Sequence, residues 1–377
     1  PLSVVQEGHR RQCRPDLIRN AGNQAPAPCA AGAFHLGLMD KITSTARLMD
    51  AEELAQRQAS EASFLQLPAR GTVFAERAMR LRQLASGHAM GDFLQFMAEL
   101  ADAQQRALLG FPVVPLPDGE ALMNASRLGM PPLPVAHWQR DPAWQQALRT
   151  MAAEVLPKAP EAGREVLQDL AQADGEWLEQ QAERLLHGVM QGLDMAAAPI
   201  IAAALQVYWT HLVCAVQEQG APAGLAAPFG RIDDATVCPC CGSRPTASIV
   251  KAGAERGGQR YLHCSLCSTH WHMVRIKCTH CESTKGLAYE AVATAGATEE
   301  DNHGREPVVQ AETCSECGHY LKIVHGERDP MVEPVADDLA TLTLDLLVAE
   351  TGLQRHGVNL LLLFGESNEP APDPEMQ

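Results

Sequence analysis

Between residues 72 and 225 the apolar positions recur at three- and four-residue steps, the period of helices with one buried face. In residues 74–109 the stripe runs through Met79, Leu81 and Leu84, then Phe93, Phe96, Met97 and Leu100. Gly87 and Gly91 predict a break between two helices there. Residues 138–155 and 161–186 predict two more, the first preceded by Pro131-Pro132-Leu133-Pro134 and the pair separated by Pro157 and Pro160. Residues 195–216 lack a polar face and stay mostly apolar for about twenty positions, the length of a membrane span. Gln206, Thr210 and His211 interrupt the run and Pro199 stands near its start. The pattern therefore predicts a helix enclosed by a bundle, with no membrane span and with Cys214 an ordinary buried thiol.

Past residues 221–230, an Ala-, Pro- and Gly-rich hinge, the pattern shifts to short strands. Residues 246–251 and 259–263 flank a turn-rich tip, which predicts a hairpin. The plan repeats in residues 286–292, a polar loop through Asp301, Asn302 and Gly304, and residues 308–312. Residues 336–350 then predict a helix with Leu339, Leu342, Leu346 and Leu347 on one face, Asp337-Asp338 at its N-terminal end and Gly352 after it. Residues 359–364 read as a short strand and 366–377 as a polar, Pro-containing tail. The leucine face is expected to pack on the second hairpin unit or back on the bundle.

Each hairpin is bracketed by cysteines. Eight of the chain's 12 cysteines form four Cys-x-x-Cys pairs: Cys238/Cys241, Cys264/Cys267, Cys278/Cys281 and Cys314/Cys317. Two such knuckles complete a tetrahedral thiolate site with metal–sulfur bonds of about 2.3 Å, closed to further ligands. Structural zinc and rubredoxin-type iron both use this arrangement. Sequential pairing makes two ribbons in tandem; nested pairing would enclose one site inside the other's loop. A disulfide framework is the alternative reading, but 377 residues build a large core without covalent staples. The cluster thus indicates metal binding in a reducing compartment.

Cys238-Pro239-Cys240-Cys241-Gly242 offers three thiols. Cys238 and Cys241 are the expected ligands, Pro239 stiffens the turn, and Gly242 is expected to permit a close N–H···S approach. Cys240 is left as a packed thiol or a reactive spare. His263, His270, His272, His280 and His319 are expected around the sites or at the surface, because four thiolates already fill each one.

Charge narrows the function. The formal net charge is −16 and aromatics are only 5%, against a nucleic-acid binder, which needs clustered Lys and Arg and often stacking rings. Residues 231–333 carry 11 Lys and Arg against 14 Asp and Glu, so the cysteine-rich region is not basic either.

The expected organisation is α+β: a disordered lead-in at 1–38, an all-α domain at 39–225, a double four-cysteine ribbon domain at 226–333, and a C-terminal helix, short strand and tail at 334–377. The lead-in carries Arg10, Arg11, Arg14 and Arg19 without a hydrophobic period. No apolar core with a cleavage site is visible there, and none follows Arg10-Arg11, so neither a secretory nor a twin-arginine signal is expected. Met39-Asp40-Lys41 is the expected natural start.

The run Cys238-Pro-Cys-Cys-Gly-Ser-Arg-Pro-Thr-Ala-Ser resembles the first knuckle of the formate dehydrogenase accessory (formation) proteins. Leu262-His-Cys-Ser-Leu-Cys-Ser-Thr-His-Trp-His-Met-Val-Arg-Ile-Lys-Cys, Ala336-Asp-Asp-Leu-Ala-Thr-Leu-Thr-Leu-Asp and Gly357-Val-Asn-Leu are similar as well. So are Arg80-Leu-Arg-Gln-Leu-Ala, Gly91-Asp-Phe-Leu-Gln-Phe and Ala204-Leu-Gln-Val-Tyr-Trp-Thr-His. The resemblance spans roughly residues 70 to 365; Cys240 departs from it.

The resemblance implies a cytoplasmic accessory protein, not an enzyme, needed for active respiratory formate dehydrogenase. It implies binding of that enzyme's molybdenum- or tungsten-containing catalytic subunit before export. It also implies rubredoxin-like ribbons associated with iron, the eight knuckle cysteines being the ligands; the donor set accepts zinc equally. No catalytic residue carries over. Trp271, Arg275 and Lys277, between the two ribbons, are the candidate contact surface for the partner; the alternatives are that Trp271 packs the ribbon core with the charges solvated, and that a partner uses a groove between bundle and ribbons. Two other classes fit the cysteines: a rubredoxin-like redox or electron-transfer protein, and a zinc-ribbon nucleic-acid-binding protein, which the acidity opposes.

Overall fold

The computed structural model describes residues 2–6, 63–252, 258–294 and 306–362. Its first half is helical. Helices α1 (Val73–Ala85) and α2 (Gly91–Leu109) pack along each other, followed by α3 (Gly119–Arg127), α4 (Ala143–Val155), α5 (Glu161–Gln172), α6 (Gly175–Leu186) and α7 (Ala198–Gln219). Residues 161–186 are two helices where one was expected. The Asp174 carboxylate accepts from the amides of Glu176 and Trp177 and so starts α6 afresh. Helix α3 had no periodic signal; Asp118 caps it, Oδ1 accepting from Ala121 N at 2.8 Å.

Helix α7 is the axis of the bundle. It is long and apolar enough to cross a membrane, yet 89% of its most apolar window is buried inside the protein. Every residue from 200 to 214 is buried, Gln206, Thr210 and His211 included. Cys214 is the packed thiol expected, pushed up to about 11 by burial.

The second half is a sheet. Strands β3 (Pro245–Lys251), β4 (Gln259–Cys264) and β5 (His270–His272) form one antiparallel ribbon. Strands β6 (Leu287–Thr294), β7 (Val309–Cys314) and β8 (His319–His325) form the other. The expected hairpins are both present, though their tips lie outside the described residues. Each ribbon has gained a third strand after its second knuckle. The ribbons are also joined: β3 pairs parallel with β8, Ser248 opposite Ile323, Ile249 opposite Val324 and Val250 opposite His325. Across that junction Arg260 and Glu312 pair at 2.6 Å, both fully enclosed.

Short strands extend this sheet. β2 (Leu65–Gln66) pairs with β5, and β9 (Gln354–Arg355) pairs parallel with β8. β1 (Leu2–Gln6) pairs antiparallel with β6, from Leu2 opposite Thr294 to Gln6 opposite Glu290. These five residues depart from the expected disordered lead-in: Leu-Ser-Val-Val-Gln has the β-branched content that suits a sheet edge. Residues 7–38, including the four arginines, lie outside the described residues, as does Met39.

The C-terminal segment differs in detail. The single helix expected over 336–350 is two, α8 (Pro334–Ala340) and α9 (Leu342–Ala349), broken at Thr341. Lys322 Nζ causes the break, donating to the carbonyls of Asp338 and Thr341. The face therefore shifts to Leu339, Leu344 and Val348, and Leu346 is left 56% exposed. α8 packs against α1 and β3, α9 against β6 and β7. The short strand is Gln354–Arg355; residues 359–362 of the strand expected over 359–364 form a turn, and 363–364 lie outside the described residues. Asn359 instead starts a turn, its Oδ1 accepting from Leu361 N and its carbonyl from Leu362 N, which buries Leu360 and Leu361. The polar tail lies outside the described residues.

Candidate metal centre

The knuckles sit where strands begin and end. Cys238 and Cys241 precede β3, and Cys264 and Cys267 close β4. Cys278 and Cys281 precede β6, and Cys314 and Cys317 close β7. Sequential pairing follows: the sulfurs group as Cys238, Cys241, Cys264 and Cys267, and as Cys278, Cys281, Cys314 and Cys317, each set within 4.8 Å. The Cys238–Cys267 and Cys241–Cys264 distances are both 3.5 Å and Cys241–Cys267 is 3.7 Å. In the second group Cys278–Cys317 is 3.8 Å and Cys281–Cys314 is 3.9 Å. A tetrahedron with bonds of about 2.3 Å has edges near 3.8 Å, whereas a disulfide holds its sulfurs about 2.05 Å apart. Each group therefore has the size to hold one tetrahedral ion, and all eight cysteines are unbridged.

All four knuckles close the same way. The residue after each second cysteine is left-handed: Gly242 (φ 76°), Ser268 (φ 59°), Glu282 (φ 56°) and Gly318 (φ 70°). Gly242 does not make the expected N–H···S contact; its amide donates to the Cys238 carbonyl at 2.7 Å. The sulfurs are served elsewhere, Cys264 Sγ by the amides of Leu266 and Cys267 and Cys278 Sγ by that of His280. Ser268 and Glu282 had no compositional signal, since neither is glycine. Their position in the repeat was the only clue.

Burial separates the two groups. The first is wholly enclosed, while in the second Cys281 is exposed and Cys317 half-buried. The bundle seals the first. Leu133 N and Val135 N donate to the carbonyls of Cys240 and Cys241 at 3.0 and 2.9 Å. Gln206 Nε2 donates to Ser265 O, inside the Cys264/Cys267 knuckle. Burial pushes the Cys238 and Cys264 thiols well above their ordinary value, so an ion entering this group must displace their protons. In the second group burial pushes Cys317 up to about 12, while the Ser283 amide, the largest influence on Cys281, draws that thiol down.

Cys240 is the packed thiol: fully buried, with Thr269 Oγ1 at 3.6 Å from its sulfur. The expected contact surface is only partly available. Trp271 is 1% exposed and its Nε1 donates to Ala235 O. It belongs to the main hydrophobic core, on a strand paired along both edges by β2 and β4. Arg275 and Lys277 are half-buried, Lys277 pairing with Glu282 at 3.5 Å. His263 and His272 are buried, and His263 Nδ1 lies 3.2 Å from His270 Nε2. None of the three belongs to a four-cysteine group.

The comparisons with known proteins agree along the described chain. The model "FdhE, N-terminal" matches residues 62–224, "FdhE, central domain" 237–275 and "FdhE, C-terminal domain" 276–362. A protein FdhE homolog of Edwardsiella ictaluri is 40% identical over 302 residues, 80% of this chain and 92% of the relative. One from Serratia proteamaculans is 39% identical over 78% of this chain and 89% of its own. The crystal structure of the FdhE protein from Pseudomonas aeruginosa superposes with a TM-score of 0.69 at 38% identity, covering 81% of this chain and all of that one.

Proposed function

Because this chain belongs to the FdhE family of formate dehydrogenase accessory proteins, we propose that it is a non-catalytic maturation factor that binds the formate dehydrogenase catalytic subunit in the cytoplasm. The observation that carries the reading is the pair of closed sulfur tetrahedra built into one continuous sheet. Four thiolates complete a tetrahedral ion and leave no position for a substrate, unlike a hydrolytic metal site.

The eight knuckle cysteines are the ligands in this reading, one ion to each group. The resemblance favours iron; the sulfur spacing suits zinc equally. When bound, the ion cross-links two knuckles and, if iron, adds a one-electron couple. This chain's own residues do the rest. The left-handed turns set the sulfurs, the amide donors neutralise thiolate charge, and the bundle shuts water from the first group. With Trp271 in the core, the partner-facing candidates reduce to Arg275 and Lys277.

The test is anaerobic capture from a cytoplasmic extract on the full-length, metal-loaded protein. The catalytic subunit should be retained, and the isolated protein should not oxidise formate. Failure to retain the subunit, or formate oxidation by the protein alone, contradicts the proposal. The exposure of Cys281 favours one second reading, a redox role for the second group. That reading requires a reversible visible absorbance change on reduction.

A further inference from the structure

The open side of the second ribbon carries two imidazoles that the sulfur tetrahedra leave unused, beside one sulfur that the second tetrahedron already holds. One ligand atom from each of His280, Cys317 and His319 lies within 4.8 Å of the others. The two imidazoles stack with centroids 3.8 Å apart and planes 11° from parallel. His319 Nδ1 lies 2.8 Å from the Cys317 carbonyl oxygen. Donating there, it leaves its lone pair on Nε2, the arrangement of a metal-bound imidazole whose other nitrogen is held by a backbone carbonyl. His356, buried, meets the His280 ring edge-on at 5.0 Å, and its Nε2 has no hydrogen-bond partner among the described residues.

The internal repeat supplies a comparison within the same molecule. His280 stands two residues after Cys278, and His319 two after Cys317. The matching positions of the first ribbon are Cys240 and Thr269, and these also meet, at 3.6 Å. There the pair is enclosed and consists of a thiol and a hydroxyl. In the second ribbon the same place is open to solvent and holds two imidazoles beside a ligand sulfur.

We propose that His280, His319 and the Cys317 thiolate form a third metal site, taking a divalent transition ion such as zinc or cobalt, with Cys317 bridging it to the ion of the second four-cysteine group. The proposal rests on the reading that this group holds an ion. Two nitrogens and one shared sulfur leave a coordination position for water. To bind one ion the two stacked rings splay apart, so that their in-plane lone pairs converge.

The test is anaerobic titration of cobalt(II) into the metal-depleted full-length chain. Two equivalents should give the absorption of tetrathiolate cobalt, and a third, weaker one should give bands shifted to higher energy by nitrogen ligands. His280→Ala combined with His319→Ala should lose the third equivalent and keep the first two. Wild-type saturation at two, or a third equivalent that survives in the double variant, overturns the site while leaving both four-cysteine groups standing. Saturation below two overturns the tetrathiolate reading and this site with it. Should the double variant not fold, X-ray absorption of the wild type at three equivalents decides. Imidazole scattering absent at two equivalents and present at three supports the site, and its absence at three overturns it.

Discussion

Gln206 Nε2 donates across 2.8 Å to the carbonyl of Ser265, joining the most enclosed helix of the bundle to the loop between two ligand thiols. The same side chain accepts from Arg77 and Gln104 through Oε1 at 3.3 and 3.0 Å. Gln206→Leu removes one residue and leaves three buried groups short of a partner. Each stranded group costs about 1–3 kcal/mol. The variant should unfold at clearly lower urea than wild type at equal metal loading and release the first ion faster to a chelator. An unchanged midpoint would mean that bundle and ribbon are not coupled there.

Lys322 is fully buried and paired with Asp338 and Asp345, and Arg355 reaches the same two carboxylates. Although burial opposes it, Arg355 and Lys322 together hold the Asp338 carboxyl below its ordinary value. Lys322→Met strands buried negative charge and should destabilise the chain by about 3–5 kcal/mol, read from urea unfolding. Adding Asp345→Leu should recover part of that loss, and strict additivity would argue against a shared network.

His211 sits under Phe111, with Nδ1 3.0 Å from Arg70 Nη1. Burial first, and then Arg70, bring its pKa down to about 4. Below about pH 6.5 the unfolded chain takes up a proton that the folded chain refuses until about pH 4, so stability falls with pH across that window. Between pH 7 and pH 5 this one group should cost about 2 kcal/mol. His211→Gln keeps an acceptor for Arg70 and cannot titrate, so its stability should fall less over the same range by about that amount. Parallel curves for the two proteins would contradict the assignment.

The difference in burial between the two sulfur groups predicts two rates of metal loss. A chelator should empty the second group, with its exposed Cys281, well before the first. Alkylation followed by peptide mapping should label Cys281 and Cys317 before Cys238, Cys264 or Cys267. Equal labelling of all eight would mean that the bundle does not seal the first group.

The parts of the fold legible in the sequence were those with local causes. Knuckle spacing gave the sulfur groups, strand patterning gave both hairpins, and three-to-four spacing gave most of the bundle. The parallel pairing of Ser248 with Ile323 joins segments far apart in the chain, and no local pattern marks it. Trp271 fitted both a contact surface and the ribbon core in the sequence, and only the packing of its sheet face against the core decides for the second. The leucines of residues 336–350 suggested one helix because nothing nearby shows that Lys322 captures the carbonyls of Asp338 and Thr341. Gln206 was visible as a polar interruption in an apolar run, but its target, the Ser265 carbonyl, emerges only when bundle and ribbon meet.

The most direct measurement is metal stoichiometry, by elemental analysis of anaerobically purified protein after gel filtration, compared with Cys238→Ser/Cys241→Ser and Cys278→Ser/Cys281→Ser. The wild type should retain two tightly held ions per chain, and each double variant should lose one, keeping the ion of the intact group. A folded wild-type chain without metal, or double variants that retain both ions, would contradict the account.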